Sequence, residues 1–138
     1  RVVNGRNPIV AHEYLGDSVE GKTVFIADDI IASGESMLEV ASNLKARGAK
    51  RIIADATFPL FTSGLDKFDK AVEEGTLDYV VGTNLTYRKP ELLNRDWYVD
   101  VDVSKYAAYF IVALNHDMSV SSIIDPIKKI EALLASRK

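Results

Sequence analysis

Val24-Phe25-Ile26-Ala27-Asp28-Asp29-Ile30-Ile31-Ala32-Ser33-Gly34-Glu35-Ser36 is the stretch on which the fold turns. Four apolar residues run into two carboxylates. A short Ser/Gly turn follows, and Met37, Val40, Ala41 and Leu44 then recur at helical spacing. This order predicts a buried strand over Val24–Asp28, a loop, and a helix beginning near Glu35. In open α/β sheets, ligands bind outside the carboxyl ends of the strands. Asp28 and Asp29 can accept hydrogen bonds from neighbouring sugar hydroxyls. Ser33, Gly34 and Ser36, with the positive end of the helix, suit a phosphate. Together they fit a sugar phosphate.

Working outward, the same alternation of strand and helix repeats. Gly48 closes the first helix, with Lys45 and Arg47 in its last turn. Arg51–Thr57 reads as a second strand, and Leu65, Phe68 and Val72 mark a second helix closed by Gly75. Asp78–Gly82 reads as a third strand, followed by a polar loop through Asn84–Pro90. Trp97–Asp102 alternates as a fourth strand, Val103–His116 is an apolar helix, and Asp125-Pro126 opens a last helix. The expected fold class is therefore α/β, a mostly parallel sheet with helices on both faces. Residues 1–23 read as an irregular arm with an extended piece at Ile9–Ala11, and residues 24–138 as one domain.

The composition narrows the function. The chain has 138 residues, a net charge of −3 and no basic block, which argues against nucleic-acid binding. With no cysteine, disulfides, thiolate catalysis and cysteine-based zinc sites are excluded. No apolar run approaches a membrane span, and the start is not a signal peptide, so a cytoplasmic protein with no membrane partner is expected. Arg1-Val2-Val3 reads like the middle of a sequence, so a fragment is expected.

Several patterns are decoys. Gly16-Asp17-Ser18-Val19-Glu20-Gly21-Lys22-Thr23 matches a P-loop, but that mechanism needs a strand before it and a helix after it. Here Lys22-Thr23 runs directly into a strand, so a turn is expected. Asn84-Leu85-Thr86 is a chance glycosylation match, and His12-Glu13 lacks a second histidine. His116 is read as a helix cap. Trp97, Tyr98, Tyr106, Tyr109 and Phe110 are read as core or subunit interface, and Asp100 and Asp102 as the open side of an edge strand. A ligand-free alternative also exists at the opening stretch: Ser36-Met37-Leu38-Glu39 is a capping box.

VFIADDIIASGES resembles the phosphoribosyl-diphosphate-binding motif of type I phosphoribosyltransferases and ribose-phosphate pyrophosphokinases. Ala56–Phe61, Thr83–Tyr87 and Val120–Ile123 are similar to later segments of the pyrophosphokinases. Asn4–Glu13 looks like a divergent bacterial branch. The resemblance implies the C-terminal, type I phosphoribosyltransferase-like domain of a pyrophosphokinase, and leaves open that its first strand is missing here. It implies that Asp28 and Asp29 hold the ribose hydroxyls, directly or through Mg²⁺. Ala32, Ser33, Gly34, Glu35 and Ser36 would form the ribose 5-phosphate loop. The implied reaction moves the β,γ-diphosphoryl group of ATP to the C1 hydroxyl of ribose 5-phosphate, for nucleotide biosynthesis, in a homo-oligomer. Family members carry a preceding homologous domain and a basic catalytic loop, of which the arm would be the trailing end. This fragment alone is therefore expected to be inactive.

Ala32, Glu35 and Phe58 depart from the family pattern, standing where an acid, a glycine and a histidine are usual. The first two favour an alternative, a catalytically silent homologue that binds phosphate or a partner. A phosphoribosyltransferase is the other alternative. No catalytic residue or metal ligand is assigned.

Overall fold

The computed structural model describes residues 16–136, which divide between two compact units, Arg1–Val101 and Asp102–Lys138. The expected arm falls largely outside the described residues, including Ile9–Ala11 and Asn4–Glu13. Its last part forms turns, with the Lys22 N–H donating to Val19 O at 3.0 Å and the Gly21 N–H to Gly48 O at 2.8 Å. The P-loop decoy is thus a turn that leads into a strand.

In the first unit, β1 (Thr23–Ile31), α1 (Glu35–Ala46), β2 (Arg51–Pro59), α2 (Asp66–Glu73), β3 (Tyr79–Thr83), α3 (Pro90–Leu93) and β4 (Tyr98–Val101) follow in sequence. The strands form a parallel sheet in the order β1-β2-β3-β4. This is the parallel α/β architecture expected from the alternating patterns, but where helices were expected on both faces, α1 and α2 of this unit pack on one face. Right-handed crossovers in an order that never reverses all pass on the same side of the sheet. Burial follows that rule: Ile52, Ala54, Ala56, Val80 and Tyr98 share one core with Met37, Ala41 and Leu44 of α1 and Phe68 of α2. On the alternate face Phe25, Tyr79 and Val99 are exposed and Ile53, Asp55 and Val81 are half-buried.

Asp78, just before β3, fixes the start of β2. Its Oδ2 accepts the Ile52 N–H at 2.8 Å, and its own N–H donates to Ile52 O at 2.9 Å. At β4 the expected edge strand is present. Asp100 pairs with Arg88 from the loop after β3.

The second unit holds α4 (Ser104–Asn115), α5 (Ser121–Ile124) and α6 (Ile127–Ala135). Asp102 Oδ1 accepts the Ser104 N–H at 2.9 Å, and Asp125 Oδ1 the Ile127 N–H at 3.0 Å, so short acids open both longer helices. His116 caps α4 as expected, its Nδ1 lying 3.0 Å from Val112 O. The expected aromatic group divides between the units. Trp97 and Tyr98 lie in the core of the first, whereas Tyr106 and Tyr109 pair edge to face at 6.5 Å in the second. No helix among the described residues is long and apolar enough to cross a membrane.

Candidate functional site

β1 does not stop at Asp28. It continues through Asp29 and Ile30 to Ile31, with Asp28 opposite Ala56, Ile30 opposite Phe58 and Ile31 opposite Pro59. Both carboxylates therefore sit within the strand rather than just past it. Neighbouring strand residues send their side chains to opposite faces, so the strand itself does not converge the pair. Asp28 Oδ1 accepts the Asp29 N–H at 2.8 Å, and both residues are exposed. The register pair Ile31 and Pro59 is fully buried and anchors the strand ends to the core.

α1 starts at Glu35, where the sequence put it, but not through the expected capping box. Its N-cap is Gly34, at φ 80°, and no side chain caps the helix. Ser36 lies inside the first turn, two positions past the N-cap. Ser33 Oγ instead accepts the Glu35 N–H at 3.4 Å, a long bond. A helix's first turn has N–H groups with no acceptor inside the helix. The left-handed bend at Gly34 turns the chain directly from the strand into that end.

Gly34 is required for two reasons. Its φ lies where only glycine is unstrained. A Cβ built there would also overlap Cε2 and Cζ of Phe68, the fully buried ring of α2. The loop thus rests on an aromatic floor. Phe68 meets Phe61 edge to face at 4.9 Å and stacks on Trp97 at 5.9 Å.

The loop after β2 holds this turn from the other side. The N–H groups of Leu60 and Phe61 donate to Ile31 O at 2.9 and 3.1 Å, and that of Thr62 donates to Ala32 O at 2.9 Å. Carbonyls at the end of β1 are thereby engaged by the neighbouring loop. Further along, Thr83 Oγ1 donates to Thr57 O at 2.6 Å and accepts the Leu85 N–H at 3.2 Å. The three strand-end segments expected at one end of the sheet, 28–36, 57–63 and 83–87, do lie at the carboxyl ends of adjacent strands.

A small hollow of about 110 Å³ is lined by Asp28, Ile30, Ile31, Ala32, Ser33, Gly34, Ser36 and Met37. It brings together five of the seven expected site residues, Asp28, Ala32, Ser33, Gly34 and Ser36. Asp29 and Glu35 are not among its lining. The Glu35 carboxylate is instead engaged by Lys67 Nζ at 2.6 Å. Among the described residues no cluster of three or more metal-ligating side chains exists. A cation held by one or two carboxylates and completed by water and substrate oxygens, as Mg²⁺ commonly is, remains compatible with Asp28 and Asp29.

Lys67 and Asp69 carry no sequence signal, and Phe68 signals only the apolar face of a helix, yet the three form the support of the site. Asp69 accepts Trp97 Nε1–H at 2.7 Å and Arg95 Nη2 at 2.8 Å, which fixes the indole beneath the loops. Only the high polarity of α2 around its single buried ring hints at this role. Perturbed acidities occur at Asp55 and Tyr98. Burial pushes the Asp55 carboxyl up from its ordinary value. Burial, then the nearby Asp100 charge, push the Tyr98 phenol up to about 12, against the opposing influence of Arg88. Neither group lines the hollow.

The chain is similar to known proteins. The phosphoribosyl synthetase-associated domain matches residues 6–125. The chain is 30% identical over 111 residues to a ribose-phosphate pyrophosphokinase of Vibrio cholerae, covering 80% of this chain and 34% of that protein. It is 41% identical over 64 residues to an orotate phosphoribosyltransferase of Oceanobacillus iheyensis, covering 46% of this chain and 30% of that protein. The fold resembles the crystal structure of phosphoribosylpyrophosphate synthetase from Mycobacterium smegmatis. The TM-score is 0.63 at 24% identity, over 74% of this chain and 33% of that one. The chain thus spans about a third of the length of these relatives.

Proposed function

Since this chain belongs to the phosphoribosyl synthetase-associated domain family, we propose that it forms the ribose 5-phosphate side of a ribose-phosphate diphosphokinase. The observation that carries this reading is the hollow at the end of β1. Asp28 and the Gly34-capped start of α1 both line it. The phosphate sits against the Ser33–Ser36 turn, where the helix field and small side chains favour an anion. Asp28 accepts hydrogen bonds from ribose hydroxyls, with Asp29 acting from the opposite face of the strand through water or a cation. A Mg²⁺ ion held near these carboxylates supplies charge neutralisation for the diphosphoryl group.

The contribution of these residues is positional. They hold the sugar with its C1 hydroxyl presented to ATP, which is bound by residues beyond this segment. The product, phosphoribosyl diphosphate, serves nucleotide biosynthesis in the cytoplasm, and the working enzyme is a homo-oligomer. On this reading the 138 residues alone bind ribose 5-phosphate but do not make AMP from ATP. A second reading, a catalytically silent phosphate-binding homologue, is favoured by the carboxylate of Glu35 in the first turn of α1.

Titration calorimetry of the chain with ribose 5-phosphate, with and without Mg²⁺, tests the site. Wild type should bind weakly, and Asp28→Asn combined with Ser36→Ala should abolish the heat. Equal binding by both proteins would place the site elsewhere. Steady AMP formation by the 138-residue chain would overturn the division of labour. Binding that persists when the parent enzyme makes no phosphoribosyl diphosphate would favour the silent homologue.

A further inference from the structure

The residues around the hollow carry an excess of negative charge. Asp28 lines it, Asp29 adjoins it, Glu35 stands in the turn, and no lysine or arginine is among the lining side chains. At the helix start, Glu35 also competes with a phosphate for the positive end of α1. A basic side chain bonded to the turn is that of Lys67, whose Nζ donates to Glu35 Oε1 at 2.6 Å. It comes from α2, thirty-two positions away.

Its placement is not that of a loose surface lysine. The adjacent residue, Phe68, is fully buried directly beneath Gly34. The next, Asp69, is tied to Trp97 and Arg95. The backbone that presents Lys67 is therefore fixed against the turn that carries Glu35, although the two charged groups themselves are exposed.

We infer that Lys67 is a positioning residue for the phosphate turn: by holding the Glu35 carboxylate it draws that charge away from the anion site and so sets its phosphate affinity. This rests on the ribose 5-phosphate reading of the hollow. The pair makes the acidic residue in the turn tolerable, and it ties affinity for the anion to a contact made by a different helix. An exposed pair is screened by salt, so the effect belongs to low ionic strength.

The test measures affinity for ribose 5-phosphate and for inorganic phosphate by calorimetry at low salt. Wild type, Lys67→Met, Lys67→Arg, Glu35→Gln and the Glu35→Gln/Lys67→Met double variant are compared. Lys67→Met should weaken both ligands about 3- to 5-fold, the scale of one exposed charge pair. Lys67→Arg should restore wild-type affinity, and Glu35→Gln should tighten binding about 3-fold. In the Glu35→Gln background, Lys67→Met should have little effect. A thermal melt should show all five folded, because an exposed pair contributes little to stability. Equal weakening by Lys67→Met in both backgrounds would overturn the inference, since lysine would then act on the anion without Glu35. If none of the five folded proteins binds either ligand, the reading of the hollow itself fails.

Discussion

Two loops at the same end of the sheet solve one problem in opposite ways. Each must bend sharply out of a strand, and each does so with a left-handed residue. In the turn after β1 that residue is Gly34, at φ 80°, and the bend is possible because a side chain is missing. In the loop after β2 it is Phe61, at φ 46°, and the bend is held because a side chain is present. A left-handed aromatic residue is strained. Phe61 is offset by burial against Phe68, Trp97 and Tyr98, with centroids at 4.9, 6.1 and 6.2 Å. Phe68 serves both loops, as floor for Gly34 and as partner for Phe61. The difference teaches that the phosphate turn owes its shape to the neighbouring helix and loop as much as to its own residues.

The largest effect should come from removing the shared element. Phe68→Ala should destabilise the fold by about 4 kcal/mol in urea denaturation, the usual range for a buried phenylalanine. It should also loosen both loops, seen as faster amide exchange at 32–36 and 60–64 together. Exchange changing in one loop alone would show that the two bends are independent. Gly34→Ala comes next, at about 3 kcal/mol from left-handed strain and overlap with Phe68. In a Phe68→Leu background its cost should shrink by about 1 kcal/mol or more, because the overlap is relieved. Strict additivity would separate the glycine from its floor.

A pH series sharpens the other loop. Tyr98 packs against Phe61, and its Oη has no hydrogen-bond partner among the described residues. Its phenol keeps its proton to about pH 12 in the folded state, against about 10 when unfolded. The folded form therefore holds the proton more tightly. The stability contribution is complete below pH 10 and is lost as pH rises towards 12. Wild type should lose stability across that window and Tyr98→Phe should not. Matching slopes would contradict this.

The smallest change expected is at Asp55, in mid-strand and away from both bends. Burial raises its pKa, so the charged form disfavours the fold and stability falls as pH rises through its titration range. Asp55→Asn should gain stability at neutral pH and nothing in acid, where both forms are neutral. Phosphate affinity should be unchanged.

Much of the architecture was legible because it is periodic. The apolar runs at 24–27, 52–54 and 79–81 and the spacing of Met37, Ala41 and Leu44 are local signals, and all became strands or helix. The helix start at Glu35 was readable from Ser33-Gly34, whereas its cap was not. Ser36 and Glu39 have the right spacing for a capping box, but the left-handed Gly34 begins the helix first. The extension of β1 through Asp28-Asp29 was hidden because pairing with β2, rather than polarity, decides where a strand ends. The short helices α3 and α5, of one turn each, are below the reach of periodicity. Lys67, Phe68 and Asp69 act on partners 26 to 34 positions away, a relation that only the fold creates.

The unreversed strand order bears on how the sheet is made. Each strand pairs with the one that precedes it, Thr23 with Arg51, Ile53 with Tyr79 and Val80 with Tyr98, so pairing separations shorten along the chain. Loop closure is then required only between successive units, and no strand must wait for one synthesised much later. During vectorial synthesis each new strand emerges beside a template already in place. Among the described residues, growth by addition makes β1 the first template laid down, so an error in its pairing with β2 would pass to every later strand.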